Sequence, residues 1–252
     1  MGKFIEKKLI EEFQGECFTR EDLLEFYRYF DPNLKEGTFG WRIYDLKDKN
    51  IIQPLKTGFY TISNKPLFRP PMSKELMSLT KKIQLKFGYV KYGVWETDWL
   101  NEFSQHQISK STIIVEIEKE FTQSLFFYLK SSSKQDIFLK PDEKVIEFYV
   151  AESNSPVVIK NLITRSPIER RTDQKVKPFT PLLEKILVDL FAEQKLFYYS
   201  KGPELIQIYQ NSLSNYAINY TKLFGYANRR DKEKEIQDFL KNHMFHLVKD
   251  IL

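Results

Sequence analysis

The chain has 252 residues, 42% of them hydrophobic and 15% aromatic, which is enough apolar material for two packed domains and excludes general disorder. The formal charge of +5 is unevenly spread: residues 1–34 hold 5 basic and 8 acidic side chains, net −3, whereas residues 35–69 hold 7 basic and 3 acidic, net +4. One cysteine, Cys17, excludes an internal disulfide, three histidines leave little for a zinc site, and nine glycines argue against a Gly-rich nucleotide loop.

The first 63 residues have the pattern of a winged helix. Ile5, Leu9 and Phe13 recur every four residues and predict a first helix ended by Gly15. Thr19 is placed to cap a second helix, with Asp22 reaching back and Phe18 and Leu23 forming a hydrophobic staple. Leu23, Phe26, Tyr27 and Phe30 then face inward until Asp31-Pro32 stops the helix. A third helix is expected from a Thr38 cap to about Lys49. Phe39, Ile43 and Leu46 share its inner side, while Trp41, Tyr44, Asp45 and Asp48 point out. Residues 51–55 and 59–62 make a hairpin closed by Lys56-Thr57-Gly58, with Pro54 keeping the first strand at an edge.

A proline-bearing linker, 64–72, leads to a larger domain. The boundaries expected are 1–66 for the winged helix and 67–252 for the rest, with a helical tail from about 180. A Ser73-capped helix to Phe87 is followed by strands at 89–95, 111–118, 136–139 and 156–163. A short helix capped by Thr97 and a longer one over 120–132 alternate with them. This β-α-β-α-β order predicts an α/β domain with a mixed, partly parallel sheet. Thr180-Pro181 reads as a cap followed by a first-turn proline, and 203–213, 215–227 and 231–252 as further helices. The fold class expected is therefore a two-domain α+β or α/β chain. It would carry an N-terminal winged helix-turn-helix, a mixed sheet and a C-terminal helical tail.

No membrane partner and a cytoplasmic location are expected. The first eight residues lack an apolar core of signal-peptide length, Glu6 breaks the myristoylation pattern after Gly2, and the longest uncharged run, 205–221, is too polar for a bilayer.

A winged helix most often gives its third helix to a DNA groove and its hairpin to the backbone. On that basis Thr38, Trp41, Arg42 and Asp45 are candidates to face the groove, and Lys47, Lys49 and Lys56 to meet phosphates. Two outward aspartates oppose this, so a winged helix used for protein contacts remains open, as does a Mg²⁺-dependent nuclease in the larger domain. The nuclease reading uses Pro141-Asp142 and Asp173-Gln174-Lys175. Glu116 and Glu118 are expected as acid–base partners or, more simply, as structural charges near a sheet edge. His243 and His246 lack a nearby third soft ligand. No catalytic residue, metal or cofactor is expected.

The turn Lys56-Thr-Gly-Phe-Tyr60, the run Thr180-Pro-Leu-Leu-Glu-Lys-Ile-Leu-Val-Asp-Leu190 and the stretch from Asn215 to Arg230 resemble the AbiEi-like family of transcriptional regulators and antitoxins. The resemblance implies a winged helix that binds its own promoter and a C-terminal domain that counteracts a nucleotidyltransferase toxin without a stable complex. It brings Glu184, Lys185, Asp189, Arg229 and Arg230 forward as candidates for that function. Read on their own, Lys185 and Asp189 are an i,i+4 pair on a helix surface. Asn219, Tyr220, Arg229 and Arg230 read as a polar cluster that orders the tail.

Overall fold

The computed structural model describes residues 2–14, 16–49, 51–62, 65–173, 176–249 and 251, with the backbone alone for 2, 3 and 56. The N-terminal unit runs α1 (Gly2–Phe13), β1 (Cys17–Thr19), α2 (Arg20–Phe30), α3 (Glu36–Asp48), β2 (Ile52–Lys56) and β3 (Phe59–Ile62). Its strands form an antiparallel sheet of order β1-β3-β2. Thr19 Oγ1 accepts from the Asp22 N–H at 3.1 Å and Asp22 Oδ2 accepts from the Thr19 N–H at 2.7 Å, so two otherwise orphaned amides are satisfied reciprocally. Phe18 and Leu23 are buried beside them. Gly58, at φ +81°, turns the β2–β3 loop, a conformation a side chain would resist.

Two details differ from expectation. Helix α3 begins at Glu36 behind an extended Lys35, so Thr38 lies in the first turn and caps nothing. The Leu34 N–H donates to the Asp31 carbonyl, and that turn delivers the chain to the helix earlier. Strand β1 has no signature in the sequence, because three residues are too short to show a period. Gly15, expected to end α1, and Asn64, at the linker's start, lie outside the described residues.

The larger domain contains α4 (Lys74–Phe87), β4 (Tyr92–Glu96), β5 (Ile113–Ile117), α5 (Thr122–Ser132) and β6 (Asp136–Leu139). These are followed by α6 (Glu143–Val145), running into a π-helical turn at Ile146–Val150, and β7 (Pro156–Asn161). A hairpin of β8 (Ile168–Arg170) and β9 (Phe179–Pro181) precedes α7 (Leu183–Ala192), α8 (Pro203–Asn215), α9 (Tyr220–Arg229) and α10 (Glu233–Val248). The sheet order is β4-β5-β7-β6, with β4 antiparallel to β5 and the pairs β5–β7 and β6–β7 parallel. The domain is thus mixed α/β with a mixed sheet and a helical C-terminus. Strands β4 and β5 are buried along their whole length, as continuous apolar runs in a covered sheet should be.

Thr97 does not cap the 3₁₀ turn that follows β4; its hydroxyl accepts from the Thr112 N–H at 2.9 Å and ties the turn to the approach of β5. Thr180-Pro181 is not a helix start either. Both residues lie in β9, paired with β8, and α7 begins at Leu183. The expected 215–227 helix starts at Tyr220, where Asn219 accepts from the Lys222 N–H at 3.1 Å.

The two units have separate apolar cores, one around Phe18, Phe39 and Ile43 and the other around Trp95, Ile114 and Leu187. The segment between them is fastened rather than loose. Phe68 is buried in the larger core, the Pro66 carbonyl accepts from the Ala217 N–H at 3.0 Å, and Lys65 Nζ donates to the Leu213 carbonyl at 2.7 Å. Among the described residues no helix is long and apolar enough to cross a membrane.

Candidate functional site

On α3 the helical period divides the side chains cleanly. Phe39, Ile43 and Leu46 are buried, and the opposite side exposes Trp41 at 65% and Tyr44 at 66%. Two large aromatics one turn apart on an open face are an unusual expenditure of apolar surface unless something covers it. Thr38 and Asp48 are exposed on the same helix.

The basic residues expected to meet phosphates are already engaged within the unit. Arg42 Nη2 donates to Asp31 Oδ2 at 3.2 Å, and its guanidinium lies 5.0 Å from the Tyr27 ring centre. Burial pushes the Tyr27 phenol up to about 12, against the opposing pull of Arg42. Lys49 bridges Asp45 at 2.7 Å and Glu6 at 2.6 Å, and these two carboxylates hold its ammonium above the ordinary lysine value. Lys47 sits 4.8 Å over the Tyr60 ring. The side chain of Lys56 lies outside the described residues, although its backbone closes β2. The exposed face of α3 is therefore aromatic rather than basic.

A second constellation is built around α7. Glu116 on β5 and Lys160 on β7 are register partners in the parallel ladder, so both side chains project from the same face of the sheet. Lys185 and Asp189 of α7 descend onto that face. Lys185 pairs with both Glu116 and Asp189, and Lys160 lies 3.3 Å from Glu116, 3.7 Å from Asp189 and 2.7 Å from Glu193. Arg230, just beyond α9, closes the cluster at 2.7 Å from Glu193 and 3.6 Å from Asp189. The Tyr226 hydroxyl donates to Asp189 Oδ1 at 2.9 Å.

This corrects the surface ion pair expected for Lys185 and Asp189, since both are wholly buried. Nearly every neighbour in α7 is apolar and buried, so the helix is covered on all sides and its charges have nowhere to go but inward. Burial alone would strip charge from Lys185 and Lys160. Asp189 and Glu116 outweigh that penalty and hold both ammonium groups above the ordinary value. Burial likewise opposes ionisation of Asp189, but Lys160, Lys185 and Arg230 hold its carboxyl well below the usual range. Three cations face three anions, and the cluster is neutral.

The remaining candidates separate. Glu118 is exposed beyond the end of β5, while Glu116 lies on a central strand rather than near an edge, so the two form no acid–base pair. Glu184 is buried and accepts from the Asn219 N–H at 2.7 Å; burial pushes its carboxyl up. Arg229 is exposed, and Tyr220 is buried. Asp142 Oδ1 accepts from the Val145 N–H at 2.9 Å and Asp173 is held by Arg171 at 2.6 Å, so each nuclease candidate is engaged by a neighbour close in sequence. Gln174 and Lys175 lie outside the described residues. His243 packs 5.0 Å from the Phe239 ring centre. Among the described residues no group of three or more His, Cys, Asp or Glu side chains could hold a metal ion.

Lys160 and Glu193 are partners of this cluster that sequence reasoning misses. A signal for half of it was present: a lysine ends the run Pro156-Val-Val-Ile-Lys160, and a glutamate interrupts Ile113-Ile-Val-Glu-Ile117, in strands otherwise apolar. Opposite charges in two buried strands point to each other, but only the parallel register places them side by side.

The chain belongs to a family of unknown function (DUF6577), whose profile matches residues 38–246, from the first turn of α3 into α10. No curated protein matches it.

Proposed function

We propose that this member of DUF6577 is a DNA-binding transcriptional regulator whose N-terminal unit works as a winged helix. The observation that carries the reading is the open Trp41–Tyr44 face of α3, set in a unit of order α1-β1-α2-α3-β2-β3 with its hairpin tip at Thr57 exposed. In this reading α3 enters the groove with Trp41, Tyr44 and Thr38 foremost. Arg42 and Lys49 set the shape of that surface through Asp31, Asp45 and Glu6. Lys47 and the hairpin tip lie at its flank, toward the phosphates.

The AbiEi-like resemblance extends the proposal to an autoregulating antitoxin, paired with a nucleotidyltransferase toxin. Of the residues it brings forward, Arg229 alone is exposed; Glu184, Lys185, Asp189 and Arg230 serve such a role by holding α7 and α9 in place.

The test is binding of the full chain to the duplex upstream of its own gene, followed by fluorescence anisotropy at increasing salt. Binding that weakens steeply with salt and falls about tenfold or more in Trp41→Ala/Tyr44→Ala is expected. Binding indifferent to that double substitution would remove α3 from the interface. Absence of any DNA binding, with capture of a protein partner through the same aromatic face, would convert the unit to a protein-contact module.

A further inference from the structure

A cleft of about 790 Å³ opens beside the carboxyl ends of the parallel strands β6 and β7. That volume suits one small ligand, and the carboxyl ends of parallel strands are where such folds place them. Part of its wall is apolar, from Pro141, Ile146 and Phe191. Ile146 opens the π-helical turn, an element that recurs at functional sites.

The charges are unbalanced. Five lysines line the cleft against three glutamates. Each glutamate is already paired: Glu193 with Lys160 and Arg230 at 2.7 Å, Glu143 with Lys195 at 2.9 Å and Glu235 with Lys232 at 2.7 Å. Lys140 and Lys201 are the surplus, both exposed and neither within ion-pair distance of a carboxylate among the described residues; Lys201 acts on Glu143 only at longer range, where Lys195 already holds that carboxylate. Lys140 is also held in the left-handed region at φ 45°, with its N–H donated to the Ile159 carbonyl at 2.9 Å. A non-glycine residue kept in that conformation by the sheet is strain of the kind that gathers at ligand sites. The floor is firm, because Lys160 and Glu193 belong to the buried ionic cluster.

We propose that this cleft binds a nucleoside phosphate, with Lys140 and Lys201 meeting the phosphates and the Phe191–Ile146 wall receiving the base. Two surplus ammonium groups match a ligand of charge −2 or more, whereas a monocarboxylate would leave one uncompensated. A nucleic-acid strand would need a path longer than one ligand-sized hollow. The inference concerns the larger domain and stands apart from the DNA reading of α3.

The test is calorimetric titration of the full chain with ATP and GTP, with adenosine and a short single-stranded oligodeoxynucleotide as comparisons. One-site binding of a triphosphate is expected, with no binding of adenosine. Affinity should fall about tenfold or more in Lys140→Asn/Lys201→Ala and be retained in Lys201→Arg. Asparagine tolerates the left-handed backbone, so the variant keeps its fold; Lys201→Glu alone supplies the same readout if the double variant does not. Trp41→Ala/Tyr44→Ala should bind the triphosphate unchanged. Failure of both triphosphates to bind, unchanged affinity in both Lys140→Asn/Lys201→Ala and Lys201→Glu, or lysine-dependent binding of the oligonucleotide without the triphosphates would each overturn the assignment.

Discussion

Two ion pairs of the same spacing meet opposite fates in this chain. Asp45 and Lys49, four apart at the end of α3, lie 2.7 Å apart at the surface. Lys185 and Asp189, four apart on α7, are sealed from solvent between the sheet and α9. The spacing is identical, and the difference comes from what surrounds it. On α3 the side opposite the core carries Trp41, Tyr44 and Asp48, so the pair stays wet. On α7 the surrounding Leu183, Ile186, Leu187, Val188 and Leu190 leave no polar side, and the charges find partners across the sheet in Glu116 and Lys160. A surface pair is dispensable, whereas a buried one creates an obligation in every partner left behind.

The largest effect should come from breaking the buried pair. Lys185→Met leaves Glu116 and Asp189 to share Lys160, with Arg230 and Tyr226 on Asp189 alone, so one buried negative charge goes uncompensated, which should cost about 3–5 kcal/mol in urea unfolding. Removing the excess negative charge as well, in Glu116→Gln/Lys185→Met, should recover part of that loss, and the shortfall from additivity measures the coupling. Next is the capping box: Thr19→Ala should cost about 1 kcal/mol, read from the N-terminal unit's own transition or from faster amide exchange in α2.

A pH comparison sharpens the contrast. Asp189 titrates below its unfolded value, so its contribution is complete above the ordinary aspartate range and lost only as pH falls through the lowered folded value. Lys160 and Lys185 titrate above theirs, so their contribution is complete below the ordinary lysine range and lost as pH rises through the raised one. The contribution of these three groups should therefore be flat from about pH 5 to pH 9. Glu184 behaves in the opposite sense. Burial raises its folded value, so the native state holds its proton more tightly and stability declines as pH rises through that value. Glu184→Gln keeps the acceptor for the Asn219 N–H; the variant should exceed the parent in melting temperature at neutral pH, with the gap closing near pH 4. The smallest effect belongs to the surface pair: Asp45→Asn should leave the melting temperature unchanged.

The contrast also marks what could be read in advance. Inward faces follow from period alone, and so Phe39, Ile43 and Leu46, and the Thr19–Asp22 box, stood where the pattern put them. The mixed sheet followed from alternating runs. What escaped depended on distance in sequence. The register that sets Glu116 beside Lys160 joins residues 44 positions apart, and nothing local announces it. Thr180-Pro181 has the local chemistry of a helix start, but pairing with β8 claims it first. Charge alone marks Arg42, Lys47 and Lys49 as phosphate candidates, and each is turned to a neighbour that only the folded unit supplies: Asp31, Tyr60 and Glu6.

The most direct test of the central claim is amide hydrogen exchange of the full chain with and without its upstream duplex. The account predicts new protection concentrated in α3 and at the β2–β3 turn, with α7 and its ionic cluster unchanged. Protection absent from α3, or confined to the larger domain, would contradict it.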